Sequence, residues 1–121
     1  MSDLKDKLAA YGIDYEDALD RVDGDGDFYK TLAMKYLTND NYVNLVAAMD
    51  VKDYDEGYKA AHALKGISGN LSFNELFKNA AEVSAALYQG EYEAAEKLMP
   101  LVTKDHERVL EGLEKWQNDE L

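Results

Sequence analysis

The 121 residues suffice for one domain with a single core, and an apolar share of 46% is that of a globular rather than a disordered chain. Cysteine is absent, so there is neither a disulfide framework nor a thiolate metal site, which fits a reducing compartment. A formal charge of −12 repels phosphate backbones and anionic bilayers, which disfavours nucleic acid and membrane surfaces as partners.

The N-terminus, Met1-Ser2-Asp3-Leu4-Lys5, has no signal-peptide apolar region, and no apolar run approaches the ~18 residues of a membrane span. A cytoplasmic protein is the expectation. A short amphipathic helix is expected over about 3–11, interrupted at Gly12. Asp14 is placed to cap a second short helix through about Arg21. The turn Asp23-Gly24-Asp25-Gly26 leads into a helix carrying Phe28, Leu32, Tyr36 and Leu37, with Met34 nearer its edge. Thr38-Asn39-Asp40 then turns the chain into an apolar run at Tyr42, Val43, Leu45, Val46 and Met49.

Asp53 and Glu56 have capping-box spacing and open the next helix, at about 54–70. Ser72 and Glu75 repeat that spacing, with Leu71 and Leu76 placed as a hydrophobic staple, so Ser72 is expected to cap the helix that follows. That helix carries a 3-4-3-4 stripe from Phe73, Leu76 and Phe77 through Ala80, Ala81 and Ser84 to Leu87 and Tyr88, and Gly90 ends it. The last helix runs from about Tyr92 to Trp116 along Ala95, Leu98, Val102, Val109, Leu113 and Trp116. Pro100 removes a backbone donor there and should kink or split it near Met99. Strand-like alternation and internal repeats are lacking. The pattern reads as an all-α fold, an antiparallel four-helix bundle with short additional N-terminal helices, in one domain spanning 1–121.

The helix at 54–70 carries the chemistry. At about 100° per residue, Ala60, Leu64, Ile67 and Leu71 gather on one side. Tyr58, Lys59, His62, Lys65, Gly66 and Gly69 gather on the other. The imidazole of His62 therefore points away from the apolar stripe, with a cation one turn on. A glycine inside a helix costs about 1 kcal/mol relative to alanine, so Gly66 suggests that something approaches this histidine closely. Gly69 is balanced between that role and simple helix termination. An imidazole, with a reference pKa of about 6.5, offers a neutral nitrogen nucleophile near neutral pH. In-line phosphoryl transfer asks mainly for positioning and charge neutralisation, and Lys65 can supply the latter. Lys59 is a weaker candidate for the same task, and Tyr58 is either docking surface or bundle edge.

The pattern His62-x-Leu64-Lys65-Gly66, followed by Ser68 and Gly69-Asn70-Leu71, resembles the phosphoacceptor helix of histidine-containing phosphotransfer (HPt) domains of two-component relays. Ser72 stands where that family usually has glycine, and the first 50 residues carry little of the resemblance. The resemblance implies that His62 accepts a phosphoryl group from an aspartyl phosphate on a response-regulator receiver domain and passes it to another receiver. Lys65 would neutralise the phosphoryl oxygens, and Tyr58, Lys59, Gly66 and Gly69 would belong to the partner-binding face. It implies no cofactor in the chain, Mg²⁺ being carried by the receiver, and a hybrid sensor kinase as a further partner. It also implies a phosphocarrier without kinase or phosphatase activity of its own. A monomer is expected from the acidic surface.

Other readings are weaker. Asp23-Gly24-Asp25-Gly26-Asp27 opens like a calcium loop, but Phe28 occupies the required glycine position and Met34 that of the bidentate glutamate. No phosphate-binding Gly-x-x-x-x-Gly-Lys-[Ser/Thr] loop occurs. His106 falls near an apolar stripe and reads as a partly buried structural histidine, and Trp116 as core. A bundle metal site would need several inward Glu and His, and the stripes here are apolar. The rival from another class is a non-catalytic helical module that binds and sequesters a receiver or another signalling protein.

Overall fold

The computed structural model describes residues 2–121, with side chains from Asp3 onward. Helices α1 (Ser2–Ala9), α2 (Tyr15–Arg21) and α3 (Gly26–Met34) come first, α3 tightening into a 3-10 turn at Lys35–Thr38. Helices α4 (Asn41–Asp50), α5 (Tyr54–Asn70), α6 (Asn74–Tyr88) and α7 (Tyr92–Gln117) follow, and the described residues contain no strand. The fold is all-helical. Helix α4 packs on α5, α5 on α6 and α6 on α7. Tyr42 ties α4 to α7, its hydroxyl donating to Thr103 Oγ1 at 2.8 Å while its ring stacks on His106.

Caps explain where three helices start. Asp14, Asp25 and Asp53 each accept a hydrogen bond from the backbone N–H three residues on, so α2, α3 and α5 begin where a carboxylate satisfies an orphaned donor. The Asp23–Asp27 segment is thus a turn and a helix cap. In α3 the buried aromatic is Tyr29, whose hydroxyl donates to the Leu71 carbonyl at 2.6 Å, and Phe28 is left half exposed. In α4, Leu45, Ala48 and Met49 are buried and Val43 faces water.

Ser72 does something other than cap α6. Its φ is +63°, in the left-handed region that side chains avoid. Its N–H donates to the Gly69 carbonyl and that of Phe73 to the Ser68 carbonyl, the paired bonds that end a helix at a left-handed residue. Ser72 therefore closes α5, and Phe73 stands at the start of α6 without a side-chain cap. The hydroxyl is spent elsewhere, donating to Asp17 Oδ2 at 2.7 Å. That charge-assisted bond offsets a conformation that glycine would adopt more easily.

Helix α6 keeps Leu76, Ala80, Ser84 and Leu87 inside as expected, together with Val83 and Asn79. Phe77 and Tyr88, expected inside, are 41% and 77% exposed: the buried arc turns toward Val83, and they fall at its edges. Helix α7 is not split at Pro100 but continues through it. Pro100 is exposed, so the carbonyl that loses its donor stands where water can reach it. The opposite side buries Ala95, Val102, Val109, Leu113 and Trp116. The valines and the leucine among them each contribute about 1.5–3 kcal/mol relative to exposure.

The N-terminal helices are fastened at the α5–α6 junction and to α7. The Asp14 N–H donates to the Ser72 carbonyl at 3.0 Å, and Asn74 Nδ2 to Asp14 Oδ2 at 3.0 Å. Tyr15, Tyr29 and Trp116 pack ring against ring, with the Lys30 ammonium 5.4 Å from the indole centroid. Arg108 Nε donates to the Ala10 carbonyl at 2.8 Å. No helix is long and apolar enough to cross a membrane among the described residues.

Candidate functional site

Helix α5 divides its residues as the periodicity requires. Ala60, Ala61, Leu64 and Ser68 are buried, Ile67 is partly so, and His62 and Gly66 face solvent. The Ser68 hydroxyl donates to the Leu64 carbonyl at 2.7 Å, which places a polar side chain inside without leaving it unpaired. Tyr58 lies one turn before His62, its ring 5.8 Å from the imidazole and inclined by 29°. Tyr88 of α6 backs Tyr58 at 5.6 Å. Tyr58 thus belongs both to the helix edge and to the surroundings of His62.

Two shallow depressions meet at Lys65. One, of about 240 Å³, is lined by Tyr58, His62, Lys65, Ser84, Tyr88 and Gln89, with two alanines. The other, of about 310 Å³, is lined by Arg21, Lys65, Gly66, Gly69 and Phe77, with Asn70 and Asn74. Neither has a carboxylate in its wall. Depressions elsewhere, of about 530, 380 and 460 Å³, each carry two or three. On a chain with 25 acidic and 13 basic side chains, the walls of the two depressions at Lys65 carry cations and no carboxylate, although the Asp17 carboxylate pairs with Arg21 at 3.3 Å just outside the second.

The two glycines differ. A Cβ built on Gly66 meets nothing within 4 Å, so the surface over this turn is open. One built on Gly69 would lie 2.8 Å from Phe77 Cδ1. Gly69 is therefore small because an aromatic ring from α6 rests on it, while its carbonyl accepts the Ser72 N–H in the turn that ends α5. Lys59 is not gathered with the others. Its ammonium pairs with Glu56 at 3.6 Å, and it lines the depression toward α4 beside Asp53 and Glu56. Phe77 and Tyr88 of α6, Gln89 just beyond it and Arg21 of α2 enter the neighbourhood; the 3-4-3-4 stripe places Phe77 and Tyr88 inside, and no local pattern brings Gln89 or Arg21 here.

His106 is the contrasting histidine. It is 7% exposed, its Nδ1 lies 2.6 Å from the Tyr36 hydroxyl, and its ring stacks on Tyr42 with centroids 3.8 Å apart. Burial pushes its pKa down to about 4 and raises that of Tyr36, so both groups are neutral at pH 7. It is structural, as expected. Among the described residues, no group of three or more His, Cys, Asp or Glu is arranged to hold a metal ion. Comparison with protein-family models, curated proteins and solved structures finds no match to this chain.

Proposed function

We propose that this chain is a histidine phosphotransfer protein of the HPt type, in which α4 to α7 form an antiparallel four-helix bundle and α1 to α3 cover part of it. The observation that carries the reading is the exposed His62, which shares with Lys65 a depression whose wall holds no carboxylate. The ring nitrogen attacks the phosphorus of an aspartyl phosphate on a receiver domain. The P–N bond forms as the P–O bond breaks, the aspartate leaves as a carboxylate, and the imidazole proton passes to water. Lys65 offsets the phosphoryl charge, and positioning does most of the remaining work. The reverse sequence hands the group to a second receiver. Mg²⁺ would be supplied by the receiver's acidic pocket, a hybrid sensor kinase carries such a receiver upstream, and the setting is cytoplasmic. Open space over Gly66 gives the receiver's loops their approach, and the exposed rings of Tyr88 and Phe77 supply apolar contact. A short-lived transfer complex calls for a modest interface of this kind.

The test is incubation with a panel of phosphorylated receiver domains, reading acid-labile, base-stable label. Wild type should acquire label and His62→Gln should acquire none. Gly66→Glu should block transfer by filling the open approach. Binding of a receiver without label on wild type, and with equal affinity in His62→Gln, would instead support the sequestering module.

A further inference from the structure

We infer that Tyr58 is a positioning residue: its ring, braced by Tyr88, holds the His62 imidazole in one orientation for the incoming phosphoryl group. The inference rests on the phosphotransfer reading, and it gives Tyr58 a task that acts through His62 rather than on the partner. In an α-helix the Cα–Cβ bonds lean toward the N-terminus, so a side chain covers the turn before its own Cα. His62 therefore lies over the turn that carries Tyr58, four residues earlier. The two ring centroids are 5.8 Å apart and the planes are inclined by 29°, a separation at which aromatic pairs attract. Lys65 leans the same way from three residues later and lines the same depression as His62. The exposed imidazole thus has an aromatic ring on its N-terminal side and open space over Gly66 on the other.

Tyr58 can orient a neighbour because it is itself held. Its ring is partly buried against the core, and the ring of Tyr88, from α6, stands 5.6 Å away at an inclination of 42°. His106 is fixed by a hydrogen bond at Nδ1, whereas the contact made by the His62 ring is the Tyr58 stack. Orientation matters because the attacking nitrogen has to stand about 3–3.5 Å from phosphorus and in line with the leaving oxygen. A ring turning freely about its two side-chain torsions meets that requirement for a small share of the time. A ring resting on Tyr58 has fewer arrangements to give up on reaching the reactive one. Tyr58 takes no part in the bond changes: the P–N bond forms as the P–O bond to the receiver's aspartate breaks, and the imidazole proton goes to water.

The experiment has two arms, both on the full chain, in wild type and in the variants Tyr58→Ala, Tyr58→Phe and Tyr88→Ala. The first arm reads the His62 χ1 couplings by NMR with no partner present. Wild type and Tyr58→Phe should show one dominant rotamer, Tyr58→Ala an average over several, and Tyr88→Ala a value between them. Tyr88 is 77% exposed, so its variant keeps this arm decisive even if Tyr58→Ala folds poorly. The second arm follows single-turnover transfer from a phosphorylated receiver of the same panel, at rising receiver concentration. Tyr58→Ala should lower the saturating rate about three- to tenfold, with the half-saturating concentration within about twofold of wild type. Tyr58→Phe, which keeps the ring, should recover most of that rate. His62 couplings that are the same in wild type, Tyr58→Ala and Tyr88→Ala would overturn the inference while leaving the phosphotransfer reading intact. A raised half-saturating concentration with an unchanged saturating rate would overturn it too, because Tyr58 would then be a docking contact. Wild type that takes label from no receiver would overturn the proposed function, and this inference with it.

Discussion

His62 on α5 and His106 on α7 carry the same ring into opposite surroundings. His106 has an aromatic face on it, a phenol hydroxyl 2.6 Å from Nδ1 and almost no access to water. Burial lowers its pKa to about 4. His62 has an aromatic neighbour as well, but the ring stands in a depression open to solvent, with Lys65 beside it. Neither ring differs in intrinsic chemistry. The difference is made by the helix face on which each sits, and by whether a buried neighbour hydrogen-bonds the ring or the ring is left open to an incoming group.

Exchanging the two roles by mutation gives the largest expected effect. His62→Gln should lose all phosphoryl label, with far-UV circular dichroism and unfolding midpoint close to wild type. His106→Leu should keep its label but unfold more easily, by about 2–3 kcal/mol at pH 7.5, because the buried Tyr36 hydroxyl loses its partner. A His106→Leu protein that is as stable as wild type would show that the Tyr36–His106 bond contributes nothing net. The same pair predicts a pH dependence. In the unfolded chain His106 titrates near 6.5, and in the folded protein near 4. Between those values the unfolded state binds more protons, so stability is full above about pH 6.5 and falls as pH drops toward 4. The term is about 3 kcal/mol when complete. Urea unfolding at pH 7.5 and 4.5 should show a steeper loss for wild type than for His106→Leu, the carboxylates being common to both.

Much of this contrast is legible in the sequence. The two faces of α5 follow from counting residues, and the burial of His106 follows from its place beside Val102 and Val109. Local capping chemistry at Asp14 and Asp53 also reads correctly, because it depends only on residues three apart. The miss at Ser72 has the opposite cause. Ser-x-x-Glu is a local pattern, but the Ser72 hydroxyl is claimed by Asp17, far away in the chain, and a pattern of four residues carries no information about that competitor. In α6 the 3-4-3-4 stripe spans a wide arc, and Phe77 and Tyr88 at its edges are exposed. Arg21 and Gly69 were illegible in the same way, since their neighbours, Lys65 and Phe77, come from other helices.

A smaller effect bears on the chemistry of the exposed ring alone. Lys65→Ala should slow label transfer from a receiver about tenfold without abolishing it, the equivalent of about 1.4 kcal/mol of charge neutralisation, and should leave stability within experimental error. An unaffected rate would assign the neutralising charge wholly to the partner's metal.

The smallest effect separates the two glycines of the same helix, and its sign is the informative part. Gly66→Ala adds a methyl into empty space in the interior of α5, so the gain in helix propensity is not offset by any contact, and the protein should become more stable by about 0.5–1 kcal/mol. Gly69→Ala makes a similar gain but drives Cβ to 2.8 Å from the Phe77 ring. That ring is 41% exposed and can move, so the net change should be a loss of about 1 kcal/mol rather than a failure to fold. Thermal unfolding of the two variants should therefore shift in opposite directions from wild type. Gly66 then remains as a position where the isolated protein gains from a side chain, and its glycine has to be explained by something that approaches from outside. A Gly66→Ala protein that is less stable than wild type would remove that argument, because the glycine would then be required by the fold itself.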